Sequence, residues 1–185
     1  MGREEIINDL DKLLTHLYEE YGWSFTAEEF INTPTRIVNM FDEWKKKSKY
    51  EKFTVFENTM KYDQMIVLKN IRFYALCSHH LLPFDGYISV GYIPDKVVIG
   101  ASKMARIVNS FAYQPTIQER MTLQIARKMK EVVETDSVMV VVKAEHMCMR
   151  CRGVEKDEAE MITSQVGGSF REDDKTRKEF LELIK

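Results

Sequence analysis

The chain has 185 residues, 44% of them hydrophobic and 30% charged, with a formal net charge of −2 at pH 7. Those values support a soluble globular protein with a buried core, and they exclude a global electrostatic pull toward nucleic acid or an anionic membrane. No apolar run approaches the roughly 20 residues of a membrane span, and three cysteines behind an acidic, helical start (MGREEIINDL) point to a reducing cytoplasm rather than a disulfide framework.

Residues 1–50 read as an N-terminal helical extension and residues 51–185 as one folded domain, a single unit. Ile6, Leu10, Leu13 and Leu17 recur at helical spacing across residues 3–21. A second helix starts at Thr33-Pro34, with Pro34 at its first position, and runs to the solvated lysines Lys45-Lys46-Lys47. Segments around 64–76, 86–93 and 137–146 are rich in Val, Ile, Tyr and Phe and predict strands. Val138 to Val142 is nearly continuous apolar, so that strand is expected to be covered on both faces. Ser102 to Ala112 predicts a helix with a serine N-cap. Pro115 to Val133 predicts another, with Ile117, Met121, Ile125, Met129 and Val132 as its core-facing stripe. Residues 159–166 add a strand, Gly167-Gly168 breaks it, and 173–184 read as a closing helix. The class is α+β: an antiparallel sheet with helices packed on one side.

Two short blocks carry the chemistry: Cys77-Ser78-His79-His80 and Glu145-His146-Met147-Cys148. A Cys-x2-His pair plus one distant Cys supplies three protein ligands to zinc, the count typical of catalytic sites that keep a fourth position open. Two histidines, His79 and His146, then remain to move protons, because imidazole titrates near neutral pH. The same residues also fit a closed structural site, since Cys77, His80, Cys148 and Cys151 make a Cys3His set from two common half-sites. Spacing alone leaves both open.

Lys103 and Arg106, three apart in the first turns of a helix, share a face with the positive helix end, a natural seat for phosphate oxygens. An ordinary capped helix with surface cations explains them equally well. No Gly-x4-Gly-Lys-Ser occurs, which excludes a P-loop. Glu119 follows Gln118 in the first turn of the next helix, where the helix dipole favours any carboxylate. A Glu there is also suited to accept two parallel hydrogen bonds from the N1–H and 2-amino edge of guanine.

Six blocks resemble one family, GTP cyclohydrolase I. They are TPTR (33–36), CSHHLLPFDGYISVGYIP (77–94), VIGASKMARIV (98–108), QERMTLQIA (118–126), AEHMCMRCRGV (144–154) and TSQVGGSFRED (163–173). They stand in family order over roughly residues 33 to 184. The resemblance implies zinc held by Cys77, His80 and Cys148, with one ion per subunit, and acid–base roles for His79 and His146. It implies triphosphate contacts from Ser102, Lys103, Arg106 and Arg152, with Arg36 from a neighbouring subunit, and guanine recognition by Gln118 and Glu119. Cys151 falls where the family places no ligand. An extended 148–151 segment would also point Cys148 and Cys151 to opposite faces. The implied fold is the tunnelling fold, a four-stranded antiparallel sheet with two helices, closed between subunits into pentamers that stack as a homodecamer with inter-subunit active sites. The implied reaction opens the guanine ring of GTP at C8, releases formate and yields 7,8-dihydroneopterin triphosphate, the first step toward folate, pterin or 7-deazaguanine products.

Some positions depart from the family pattern. Asn39 stands where many bacterial members carry a phosphate-binding lysine, Gln114 and Thr116 replace an arginine and a glutamine, and Ser78 and Ala101 replace a glutamate and a leucine. None removes an implied zinc ligand or proton carrier. Two rivals stand beside the hydrolase reading. One is a paralogue on the same fold acting on another purine or pterin, such as the nitrile reductase that makes the queuosine precursor. The other is a non-catalytic GTP-binding oligomer.

Overall fold

A computed structural model describes residues 2–23, 26–50 and 52–185, in two compact units, Met1–Lys46 and Lys47–Lys185. In the first, helix α1 (Arg3–Tyr21) ends at Gly22, whose left-handed φ of 63° closes the last turn. Helices α2 (Ala27–Phe30) and α3 (Thr33–Ser48) follow. Arg3 Nε meets Asp42 Oδ2 at 3.3 Å and ties α1 to α3. The apolar stripe predicted for α1 forms, yet no residue of that helix is buried.

The second unit runs through β1 (Val55–Glu57), β2 (Ile66–Cys77), β3 (Pro83–Tyr92), β4 (Val97–Ile99), α4 (Ala101–Phe111) and β5 (Pro115–Thr116). It continues with α5 (Gln118–Val133), β6 (Val138–His146), α6 (Met147–Arg150), β7 (Glu160–Val166), α7 (Ser169–Glu172) and α8 (Asp174–Leu183). One sheet has the order β5-β2-β3-β6-β7, and β1 pairs with β4 in a separate two-stranded ribbon. The four long strands are antiparallel, and β5 adds a two-residue parallel rung, Leu76↔Pro115 and Cys77↔Thr116. A hairpin, two helices and a second hairpin in that chain order make the four-stranded tunnelling fold that the resemblance implies. No helix among the described residues is long and apolar enough to cross a membrane.

Strand alternation sets the core. Val138, Val140, Val142 and Ala144 of β6 join Phe73, Ala75, Phe84, Ile88 and Val90 on the face covered by α4 and α5. Met121, Ile125, Met129 and Val133 of α5 are fully buried against them, each worth about 1.5–3 kcal/mol on transfer from water. The predicted stripe is shifted at its end, since Val133 is buried and Val132 only partly so. The odd residues Met139 and Val141 point to the opposite face and pack with Phe170, Phe180 and Ile184. The continuous apolar run in β6 is thus covered on both sides, as expected. Helices α4 and α5 lie on one side of the sheet, as expected, and the C-terminal segment adds a cover under the far face.

Two local expectations are corrected. Ser102 is the second residue of α4, not its cap; Gly100, at φ −66° and ψ 147°, takes that position because the chain is still extended where it leaves β4. Residues 115–117 do not begin a helix, since Pro115 and Thr116 pair with β2 and Ile117 is the N-cap. At the other end of the chain, Asp173 caps α8 by accepting from the Lys175 and Thr176 backbone N–H groups.

One glycine is required by close approach. A Cβ at Gly86 of β3 would lie 2.0 Å from the Lys143 carbonyl oxygen of β6, backbone that cannot move without breaking the ladder. Gly86→Ala is expected to cost about 3 kcal/mol or more of unfolding free energy, read from a denaturant titration.

Candidate active site

Strand ends and two tight turns build the site. Cys77 closes β2 on the same face as Phe73 and Ala75, so its thiol points toward α5. The chain then reverses at once. Cys77 N–H donates to the Leu82 carbonyl (2.8 Å), while the Cys77 carbonyl accepts from His80 N–H (3.2 Å) and Leu81 N–H (2.8 Å). Leu81 sits at a left-handed φ of 54° to complete the turn. This reversal brings His79 Nδ1 to 3.6 Å and His80 Nδ1 to 3.8 Å from the Cys77 sulfur.

The parallel rung of β5 adds the third side. Ser78 N–H donates to the Thr116 carbonyl at 3.0 Å, which holds the start of α5, with Gln118 and Glu119, beside the cysteine turn. From β6, register places His146 opposite Phe84, and their rings stack with centroids 4.5 Å apart and planes 6° from parallel. A single helical turn, α6, then carries Cys148 back toward Cys77.

The donor atoms of Cys77, His80 and Cys148 all lie within 4.8 Å of one another. Two soft sulfurs and one imidazole nitrogen form a set that fits zinc, and three protein ligands leave room for a fourth. His79, although near Cys77, is outside this group among the described residues, and so is Cys151, which is exposed. The extended conformation considered for 148–151 does not occur: residues 147–150 are helical. The helical turn removes that argument against Cys151, but the grouped donor atoms are those of Cys77, His80 and Cys148 alone among the described residues, which favours the three-ligand arrangement. Cys151→Ser is expected to leave the metal content per subunit unchanged by elemental analysis.

Burial and the Cys77 thiol beside it push the Cys148 thiol above its ordinary range, partly offset by Arg152. Metal ligation here must accordingly displace protons. Burial also holds the His146 imidazole below its ordinary range, with the Glu119 carboxylate pulling the other way.

Cys77, His79, Gln118, Glu119, His146 and Cys148 line one cavity of about 150 Å³. Of the residues expected to contact triphosphate, Arg152 reaches this region, donating from Nη1 to His80 Nε2 at 2.9 Å. Ser102, Lys103 and Arg106 lie on the first turns of α4 and, among the described residues, do not line the cavity. Arg106 instead stacks over Tyr50, 5.5 Å from the ring centroid. Arg36 is an exposed residue of α3 in the first unit. Gln118 is only 1% exposed, and its amide bonds inside the protein, to His146, Met161, Thr163 and Val142. Phe84, Met161 and Thr163 carry no signal along the chain, because their places beside His146 and Gln118 depend on cross-strand register.

A thiol–imidazole–thiol triad with two further imidazoles, set at the strand ends of a tunnelling-fold sheet, combines a donor set able to hold a metal ion with groups able to move protons, the equipment of a hydrolytic enzyme. Comparison with known proteins sharpens that class. A family model described as GTP cyclohydrolase I matches residues 10–185. GTP cyclohydrolase 1 of Sulfurihydrogenibium sp. (strain YO3AOP1) is 42% identical over 177 residues, covering 96% of this chain and 94% of that protein. GTP cyclohydrolase 1 of Wolinella succinogenes is 43% identical over 180 residues, covering 95% and 96%. The same-named protein of Aquifex aeolicus (strain VF5) is 43% identical over 167 residues, covering 90% of each chain. The chain belongs to the GTP cyclohydrolase I family. The rival readings, a nitrile reductase or a non-catalytic binder, find no support in these relatives.

Proposed function

We propose that this chain hydrolyses GTP at C8 of the guanine ring, releasing formate and giving 7,8-dihydroneopterin triphosphate, in the cytoplasm and as a homodecamer of two stacked pentamers. The observation that carries this reading is the single cavity shared by two of the three metal-ligand candidates, both spare imidazoles and Glu119. Residues 51–185 would form the catalytic domain and residues 1–50 its helical extension.

Each residue's part follows from its chemistry. The Glu119 carboxylate accepts from N1–H and the 2-amino group of guanine, a donor pair that adenine lacks. A cavity of about 150 Å³ is smaller than the ~300–1,000 Å³ of pockets that enclose drug-sized ligands, so it takes the base and not the whole nucleotide. The triphosphate then lies outside, where Arg152 meets it. Ser102, Lys103, Arg106 and Arg36 contribute where subunits adjoin, which accounts for a cavity they do not line in one chain.

Cys77, His80 and Cys148 would hold zinc, which when bound supplies a Lewis acid that makes hydroxide available near neutral pH. His146 protonates the imidazole nitrogen of the purine, which makes C8 electrophilic toward hydration. His79, at the mouth of the cysteine turn, moves protons as the ring opens and the same carbon departs as formate. With the base and triphosphate both anchored, the ribose carbon chain is held against the exposed nitrogens onto which it closes.

Incubation with GTP tests the proposal. Formate and an oxidisable fluorescent pterin are expected together, lost with chelator and restored by zinc. Full zinc occupancy with no formate would refute it.

A further inference from the structure

Resting on the cyclohydrolase reading, we propose that Gln118 is a positioning residue that holds one proton of His146 on Nε2, leaving Nδ1 as the nitrogen through which the ring takes up a second proton and delivers it to the substrate. Gln118 was expected to recognise guanine, but every polar atom of its side chain is engaged within the protein. Its Nε2 lies 2.9 Å from the Met161 carbonyl, 3.1 Å from Thr163 Oγ1 and 3.3 Å from the Val142 carbonyl. A flipped amide would set its oxygen against two carbonyl oxygens, so the network fixes the amide orientation. The amide oxygen Oε1 is then the atom 2.8 Å from His146 Nε2. An amide oxygen only accepts, and His146 Nε2 must therefore carry the proton.

A pair of hydroxyls makes the arrangement directional. Thr122 Oγ1 donates to the Gln118 backbone carbonyl at 2.7 Å. Each hydroxyl has one proton, so in the 2.7 Å contact between Thr122 and Thr163 it is Thr163 that donates. The remaining lone pairs of Thr163 face the Gln118 amide N–H. The bonds thus run in a closed loop that begins and ends on Gln118, and the Phe84 ring, stacked on His146, keeps the imidazole plane from turning.

The chain has four histidines, few enough for a resolved solid-state 15N spectrum of histidine-labelled, zinc-loaded protein. With His146 assigned by its loss in His146→Asn, an Nε2-protonated ring is expected, and an Nδ1-protonated ring overturns the proposal. Kinetics give a second arm. Gln118→Met is expected to lower kcat for GTP about tenfold or more while KM stays within about threefold, because a misplaced proton carrier slows chemistry rather than binding. A rise in KM at unchanged kcat would mean that Gln118 touches the base, and the idea fails. Should that variant not fold, Thr163→Val is expected to lower kcat by about threefold, with Thr163→Ser restoring it; equal turnover in all three chains overturns the proposal. Absence of formate from the wild-type chain would sink the cyclohydrolase reading alone, leaving the spectrum to decide the tautomer.

Discussion

Cys148→Ser is expected to strip the metal and abolish turnover together. Serine is nearly isosteric but offers a neutral hydroxyl of high pKa in place of a soft thiolate. The site has three ligand atoms grouped within 4.8 Å, so losing one leaves a bidentate Cys77–His80 pair. Replacing even an outer-shell partner costs roughly 10–100-fold in metal affinity, and a direct ligand should cost about 100-fold or more. Elemental analysis after dialysis should show zinc falling well below one per subunit, with formate release lost in proportion. The fold should persist, because Cys148 is only partly buried and sits beside the core rather than within it. Zinc retained at full occupancy in this variant would remove Cys148 from the ligand set and return Cys151 to consideration.

The second large effect is expected at His146, with the opposite metal signature. His146→Asn should keep the metal, since the imidazole is outside the ligand group, yet lower kcat by about 10²–10⁴-fold, the usual contribution of a positioned acid–base group. Asparagine places its amide N–H where Nδ1 was and not at Nε2, so Gln118 Oε1 loses its donor at a cost of about 1–3 kcal/mol in stability, without touching the ligand group. KM for GTP should move little, because the proposed contacts to the base and triphosphate come from Glu119 and from cations other than His146. Turnover near the wild-type value with His146 replaced would take the proton-carrier role away from this residue. The two variants together separate metal loss from acid–base loss, which a single activity measurement would merge.

The fold was legible wherever chemistry repeats along the chain. Strands β2, β3 and β6 and helices α4 and α5 follow from β-branched runs and a 3.6-residue apolar period, and each appears within a few residues of its expected place. Elements without a period were not legible. The strand β1 has three residues, all exposed, and β5 has only two residues, too few to show alternation, although β5 ties the start of α5 to the cysteine turn. The helical turn at 147–150 was hidden for the same reason, and an extended chain was considered there.

The linear chain alone set the donor chemistry: which sulfurs and imidazoles exist, their spacing, and the family blocks that single out Cys77, His80 and Cys148. It did so because a Cys-x2-His pair needs only a local reversal to converge. What lies opposite what was decided by the tertiary structure. Register put Phe84 against His146, and α5 packing buried Gln118 behind it, with its amide bonded inside the protein. The far face of β6 likewise gained its cover only when the C-terminal helix folded beneath it. Local spacing reports neighbours along one chain segment; contacts between segments remote in sequence depend on pairing and packing, which no short window of residues contains.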